Sequence, residues 1–331
     1  MADYYPNFPL ITELKDQQQA ALDCPGPIAL SGGPGTGKSF VSLWRHISNY
    51  TRDNPKKSQL LTFTTSLTYY LKQNCASQSE KAAENVDSFF SWYTSRAASA
   101  RNIRDEIIVD EAQDIPLDYY REPEMLRRLS PDISYGADDK QILQHNAYNK
   151  DTKEYNLAIC SPAKKLNEIF ENSEFELDRN YRNTKSIMKF AKAFFEDAYI
   201  PDNELNSCKE EGDKPRLFIT GGDWGKKIST ILDIVQQYHG DATHNIGILV
   251  PLAKPPRTGE EELVAYFYYN WIVGHKKRDG SKIDCSMYDY TMEGLESMKN
   301  VHVTPFKSAK GLEFDTVIIP CMDVLKKACM L

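Results

Sequence analysis

Residues Ile28-Ala29-Leu30-Ser31-Gly32-Gly33-Pro34-Gly35-Thr36-Gly37-Lys38-Ser39 restrict the possible folds more than any other stretch. An apolar run passes directly into G-x-x-x-x-G-K-S, the order of a buried strand, a tight phosphate-binding turn and a helix. Each residue type has a physical task. Gly32 and Gly37 let the backbone turn and approach an anion without a Cβ in the way. Amide N–H groups of the turn face that anion, and the helix opening at Lys38 adds its positive end. The Lys38 ammonium then neutralises β- and γ-phosphates, and the Ser39 hydroxyl ligates Mg²⁺. A glycine-rich turn with no ligand would not need the strand before it or the apolar Phe40-Val41-x-Leu43-Trp44 after it. The chain is therefore expected to bind a nucleoside triphosphate.

A chain of 331 residues has room for two domains. Hydrophobic content of 41% and charged content of 26% are those of a soluble globular protein. No apolar run approaches the length of a membrane span, and Met1-Ala2-Asp3-Tyr4-Tyr5-Pro6 lacks the pattern of a signal peptide. Cysteines stand at 24, 75, 160, 208, 285, 321 and 329, an odd number with no C-x-x-C pair. That spacing argues against a disulfide framework or a zinc site and for reduced thiols in the cytoplasm. With a net charge of −7, any nucleic acid must be held by a local groove, not by the field of the whole molecule.

Upstream of the turn, Leu14 to Leu22 has helical spacing of apolar residues. Its Gln18 is either a solvated helix residue or an amide that reads an adenine edge with one donor and one acceptor. Downstream, Gln59 to Ser66 forms a second apolar strand ending in Thr62, Phe63 and Thr64. Val86 to Tyr93 follows, with Ser88, Phe89, Phe90 and Trp92. Hydroxyls at a strand end hold phosphate and aromatic faces stack on bases; the same rings serve equally as core. Glu106-Ile107-Ile108-Val109 is a buried-type strand capped by Asp110 and Glu111. Of these, the first acid suits Mg²⁺ and the second suits a general base. A fourth strand is expected at 132–135, leading to Gly136-Ala137-Asp138-Asp139-Lys140-Gln141. Strands alternating with helices imply a parallel sheet with its chemistry at the carboxyl ends of the strands.

The polar stretch from Asn146 to about Lys165 reads as a linker, and a second unit is expected to open with Phe175 to Thr184. Strands at 216–219 and 246–250 flank a helix at 228–238, and a further helix covers 260–273. Lys276-Lys277-Arg278 reads as a solvated turn. Val301 to Asp315 followed by Thr316-Val317-Ile318-Ile319 completes a second α/β unit.

Taken in order, these motifs resemble those of superfamily 1 helicases of the UvrD/Rep/PcrA type, from about Leu14 to Ile319. The resemblance is carried by the phosphate-binding turn, Asp110-Glu111-Ala112-Gln113-Asp114, Leu177-Asp178-Arg179-Asn180-Tyr181-Arg182 and Ser308-Ala309-Lys310-Gly311-Leu312-Glu313-Phe314. It implies an α/β P-loop NTPase with tandem RecA-like parallel-sheet domains, 1–165 and 166–331, the second incomplete. ATP and Mg²⁺ are the implied ligands and single-stranded DNA, in preference to RNA, the implied track. By the same resemblance Gln18 recognises adenine, and Gly32, Gly33, Pro34, Gly35, Thr36, Gly37, Lys38 and Ser39 hold the phosphates. Asp110 holds Mg²⁺, Glu111 is the base and Gln141 senses the γ-phosphate. Tyr181 stacks on adenine while Arg182 reaches the γ-phosphate from the second domain. Gly311 and Glu313 couple nucleotide to DNA, which Thr62, Phe63, Thr64, Ser88 and Phe89 contact.

The sequence departs from the family pattern in several places. Phe40 stands where an arginine is usual and Phe90 where a histidine is usual. Ile142-Leu143 replaces an aromatic pair, and Pro305 and Lys307 replace threonine and histidine. The family's motif VI has no counterpart before Leu331. These departures keep other readings open: a truncated or degenerate helicase that binds ATP but turns it over poorly, or an ATP-binding switch or interaction module of antiviral type, read by a protein partner. A P-loop kinase is disfavoured by Asp110 to Asp114 and by the Gly311 motif.

Overall fold

The computed structural model describes residues 3–4, 8–96, 103–121, 126–143, 147–149, 151–194, 205–208, 210–238, 241–252, 264–275, 280, 282–288, 298–320 and 322. They fall into two units. The first comprises Phe8–Phe63 and Leu71–Leu217, the second Met1–Asn7, Thr64–Tyr70 and Phe218–Leu331.

The first unit is built on strands β1 (Ile28–Ser31), β2 (Ser58–Thr62), β3 (Val86–Ser88), β4 (Glu106–Val109) and β5 (Asp132–Gly136). A small antiparallel pair, β6 (Tyr148–Asn149) and β7 (Glu154–Tyr155), precedes β8 (Ser173–Glu176). The main sheet runs β3-β2-β4-β5-β1-β8, every pair parallel. Leu30 faces Gly136 on one side and Phe175 on the other, while Val109 faces Tyr135 and Thr62 faces Ser88. The carboxyl ends of β1, β2, β4 and β5 therefore finish at one edge. Continuous apolar runs such as Ile107-Ile108-Val109 are what a parallel sheet covered on both faces requires.

Helix α1 (Asp16–Asp23) and helix α2 (Lys38–Thr51) flank β1. Val41, Leu43, Trp44 and Ile47 of α2 are buried, and so are its polar Arg45, His46 and Asn49. Arg45 Nε donates to Glu106 Oε1 at 2.6 Å, and its Nη1 and Nη2 reach the carbonyls of Cys24 and Gly26 at 2.9 and 2.6 Å. Asn49 Nδ2 and Ser134 Oγ also donate to Glu106, at 2.7 and 2.5 Å. These groups anchor β4, β5 and α2 at the amino end of the sheet, away from the phosphate-binding turn.

The second unit carries β9 (Ile246–Val250), β10 (Ser286–Met287), β11 (Val301–Pro305) and β12 (Thr316–Ile318), ordered β10-β11-β9-β12 and all parallel. The helices Trp224–Tyr238 and Ala265–Gly274 bury Ile228, Ile231, Val235, Tyr268 and Ile272 against it. Both sheets are RecA-like, with four described strands in the second against six in the first. No helix among the described residues is long and apolar enough to cross a membrane.

Several sequence expectations are corrected. A second unit was expected to open with Phe175 to Thr184, but residues 173–176 pair with β1 and complete the first sheet. The first unit accordingly runs to Leu217, beyond the boundary expected at 165. Residues 216–219 form no strand, and Leu217 and Ile219 are exposed. The expected linker holds the β6–β7 pair and a helix, Ala163–Ile169. Residues 260–263 of the expected helix, residues 276–278, Cys321 and Cys329 lie outside the described residues.

Two histidines bear on stability. His46 is fully buried, with Nε2 at 2.9 Å from the Ala82 carbonyl and Nδ1 at 2.8 Å from Ser58 Oγ. A carbonyl only accepts, so the imidazole is the neutral Nε2–H tautomer. Burial pushes its pKa down to about 4, and that of His302 in the second sheet down to about 3. Between those values and the unfolded value of about 6.5, the unfolded chain binds more protons than the folded one. Stability is therefore full above pH 6.5 and falls as the pH drops, by at most about 1.4 kcal/mol per pH unit per histidine. Urea midpoints at pH 7 and pH 5 test this; equal midpoints would refute it. His46→Gln is expected to flatten the dependence.

Candidate nucleotide site

The turn leaves β1 through Gly32 (φ 136°), Gly35 (φ 78°) and Gly37 (φ 93°), each in the region that L side chains avoid. A Cβ at Gly32 would collide with the Leu177 carbonyl, and one at Gly37 with the Gln18 amide. Glycine is thus required here both by conformation and by close packing. Lys38 opens α2, largely buried, and its Nζ donates to the Gly32 and Gly33 carbonyls at 2.7 and 3.1 Å. The same ammonium lies 3.8 Å from Asp138 Oδ2. Thr36 Oγ1 donates to the Gly33 carbonyl at 2.9 Å, tightening the turn. Ser39 follows in the first turn of α2, half-buried.

Gln18 is not a solvated helix residue. It is buried, accepts the Lys15 N–H at 3.0 Å and donates to the Thr36 carbonyl at 3.0 Å, so it braces the turn from α1. An amide has two donor hydrogens and two acceptor positions, so these two bonds use half its capacity.

Asp110 and Glu111 stand at the carboxyl end of β4, both buried. A Cβ at Gly136 would lie 3.3 Å from Asp110 Oδ1 and 3.7 Å from Lys38 Cβ, so the end of β5 passes close to both residues. Glu111 adopts φ 57° and ψ 41°, an uncommon conformation for a residue with a side chain. Gln113 Nε2 donates to Glu111 Oε2 at 2.5 Å, while Gln113 Oε1 accepts the Asp138 N–H at 3.1 Å. Asp138 in turn accepts from Gln141 Nε2 at 2.5 Å and from the Lys140 N–H at 3.0 Å. A continuous polar chain thus joins Lys38, Asp138, Gln141, Gln113 and Glu111. The sequence reading named Lys38, Glu111 and Gln141 but missed Gln113 and Asp138. Their only sequence signal is that each follows a buried strand within three residues of a named residue.

The loop after β8 lies on the phosphate-binding turn. Leu177 N–H donates to the Ser31 carbonyl at 2.8 Å and Tyr181 N–H to the Gly35 carbonyl at 2.9 Å. Tyr181 is half-buried, with the Arg179 guanidinium 5.9 Å from its ring centre, and burial raises its phenol pKa above the usual value. Arg182 is exposed and belongs to the same unit as the turn. The expectation that it reaches in from a second domain is therefore corrected: pairing of β8 with β1 places it in the first unit.

The residues expected to contact nucleic acid are not equivalent. Phe89 is 0% exposed and packs among Tyr93, Tyr119 and Phe90, so its ring is core and has no face for a base. Thr62 is buried too. Phe63 and Ser88 are half-buried, and the ring that reaches the surface is Phe90, 39% exposed. Thr64, Gly311 and Glu313 belong to the second unit. There Thr64 Oγ1 donates to the Lys310 carbonyl at 3.4 Å, Gly311 (φ 86°) covers Leu67, and Glu313 N–H donates to Tyr4 Oη at 3.0 Å.

The donor set fits a magnesium nucleotide. Glycine turn, lysine and helix start suit an anion, and the Ser39 hydroxyl with the Asp110 carboxylate offers the hard oxygens Mg²⁺ takes. Residues 28–212, more than half the chain, match the family described as Schlafen group 3, DNA/RNA helicase domain. The match begins at β1 and ends close to the limit of the first unit at Leu217. Comparison with curated protein sequences gave no match. Among solved structures, T4 UvsW aligns over 99% of this chain and 66% of its own, with 8% identity and a TM-score of 0.34. The chain thus spans just under two thirds of that protein's length. A Sulfolobus solfataricus SWI2/SNF2 ATPase core in complex with dsDNA aligns over 96% of this chain and 80% of its own, with 13% identity and a TM-score of 0.32.

Proposed function

This chain belongs to the Schlafen group 3, DNA/RNA helicase-domain family, and from that premise we propose that it is a Mg-ATP-hydrolysing motor core of superfamily 1, UvrD/Rep/PcrA-like character, acting on single-stranded DNA. The observation that carries the proposal is the polar chain from Lys38 through Asp138 and Gln113 to Glu111, at the carboxyl edge of one parallel sheet. Lys38 exchanges its turn carbonyls for the β- and γ-phosphates. Glu111, held by Gln113, takes the proton of the attacking water. Ser39 and Asp110 would hold Mg²⁺, which supplies charge neutralisation at the transferred phosphoryl group. Gln141 reports the state of the γ-phosphate to Asp138. Gln18 and Tyr181 bind the adenine, and Arg182 stabilises the charge that develops on the phosphoryl oxygens.

Steady-state ATP hydrolysis with and without single-stranded DNA tests this reading. Stimulation of several-fold, falling as salt is raised, is the expected result. ATP binding with no turnover under either condition would overturn it. The burial of Phe89 and Thr62, together with Ile142-Leu143 in place of aromatics, favours one second reading, a nucleotide switch read by a protein partner. That reading expects hydrolysis indifferent to DNA and RNA alike.

A further inference from the structure

We propose that Asn180 is a positioning residue that ties the phosphate-binding turn to Arg182; this rests on the hydrolytic reading above. Its side chain is 0% exposed and is used at both ends. Nδ2 donates to the Pro34 carbonyl at 2.7 Å, in the middle of the turn. Oδ1 accepts the N–H groups of Arg182 at 3.1 Å and Asn183 at 2.9 Å, fixing the backbone that carries the arginine. Its own N–H donates to Ser207 Oγ at 3.0 Å, which anchors the loop from the opposite side.

The two loops are in backbone contact around this amide. A Cβ at Gly35 would lie 2.8 Å from both Arg182 Cβ and Asn180 Oδ1. A buried amide is costly unless its polar atoms are paired, and an apolar residue would fill the space without that cost. What an apolar residue lacks is a donor for the turn and an acceptor for the arginine loop on one rigid group. Asn180 thereby sets how far the Arg182 backbone stands from the phosphates without touching the nucleotide itself.

The test is a double-mutant cycle on the full chain with Asn180→Ala, Arg182→Ala and the pair, scored by kcat and KM for ATP. A displacement of about 1 Å at a catalytic group costs up to about 10²-fold, so N180A is expected to lower kcat by about that factor. If Asn180 acts through Arg182, the pair is no slower than R182A alone, within about twofold. A residue that only stabilised the fold would slow the enzyme by the same factor in either background, and such additivity overturns the proposal. Asn180→Asp keeps the acceptor for Arg182 and Asn183 but loses the donor to Pro34. Because this cuts the tie at the turn, it is expected to lower kcat in the same direction as N180A, with no further loss in the R182A background, and it serves if N180A fails to fold. Should the wild-type chain bind ATP without hydrolysing it, the hydrolytic reading fails on its own. Hydrogen exchange of residues 31–37 and affinity for a fluorescent ATP analogue then decide the tie. Faster exchange there with weaker analogue binding in N180A or N180D supports it, and unchanged exchange overturns it.

Discussion

Replacing Glu111 by glutamine is expected to slow ATP hydrolysis by about 10²–10⁴-fold, the range a positioned general base contributes, and to leave nucleotide affinity within a few-fold. The geometry separates the two effects. Glu111 Oε2 accepts from Gln113 Nε2 at 2.5 Å, and a glutamine at this position still offers an acceptor oxygen there. The side chain keeps its place and loses only its ability to take a proton. The charge removed is not among the groups assigned to the phosphates, which are Lys38, the turn amides and Ser39. Single-turnover hydrolysis beside equilibrium binding of a fluorescent ATP analogue measures both quantities. Wild-type rates in the variant would remove Glu111 from the reaction, and lost binding would make it a structural residue of the turn.

The second large effect is on stability. Replacing Arg45 by methionine is expected to cost about 3–5 kcal/mol, the usual penalty for stranding one partner of a buried ion pair. Glu106 is 1% exposed and draws charge-assisted bonds from Arg45, Asn49 and Ser134. Without the guanidinium its charge has no cation at 2.6 Å, and the carbonyls of Cys24 and Gly26 also lose a donor. The double replacement Arg45→Met with Glu106→Leu removes both charges, and is expected to be milder than R45M alone. Urea unfolding of the wild type, R45M, E106L and the double variant decides the matter. A double variant as unstable as the sum of its singles would mean that the pair is not coupled.

These residues also mark how far sequence reasoning reaches. Strands β1, β2, β4, β5, β9 and β11 were legible because largely buried parallel strands read as short apolar runs, and the partly exposed β12 through its run Val317-Ile318-Ile319. Strand β8 was legible neither as a strand nor as a member of the first sheet; its Phe175 and Glu176 read only as the opening of a second unit. Its sequence, Ser173-Glu174-Phe175-Glu176, carries no mark of which edge it will join. Arg45 and Glu106 were not legible at all, since 61 positions separate partners that only the α2–β4 packing brings together.

The local chemistry of the turn follows from the order of residues alone. G-x-x-x-x-G-K-S between an apolar strand and a helix leaves the backbone few other conformations, and consecutive acids after Ile-Ile-Val end a buried strand at its chemical edge. Whether an aromatic residue faces solvent or core depends on the neighbours that fold supplies: Phe89 and Phe90 are adjacent and identical, yet one is core and the other reaches the surface. The same holds for Arg182, whose unit was decided by strand pairing, and for Asn180, whose bonded partners in the turn and the arginine loop meet only once β8 has docked on β1. Pairing and packing are long-range choices among many compatible surfaces, and a local pattern of residues does not encode them.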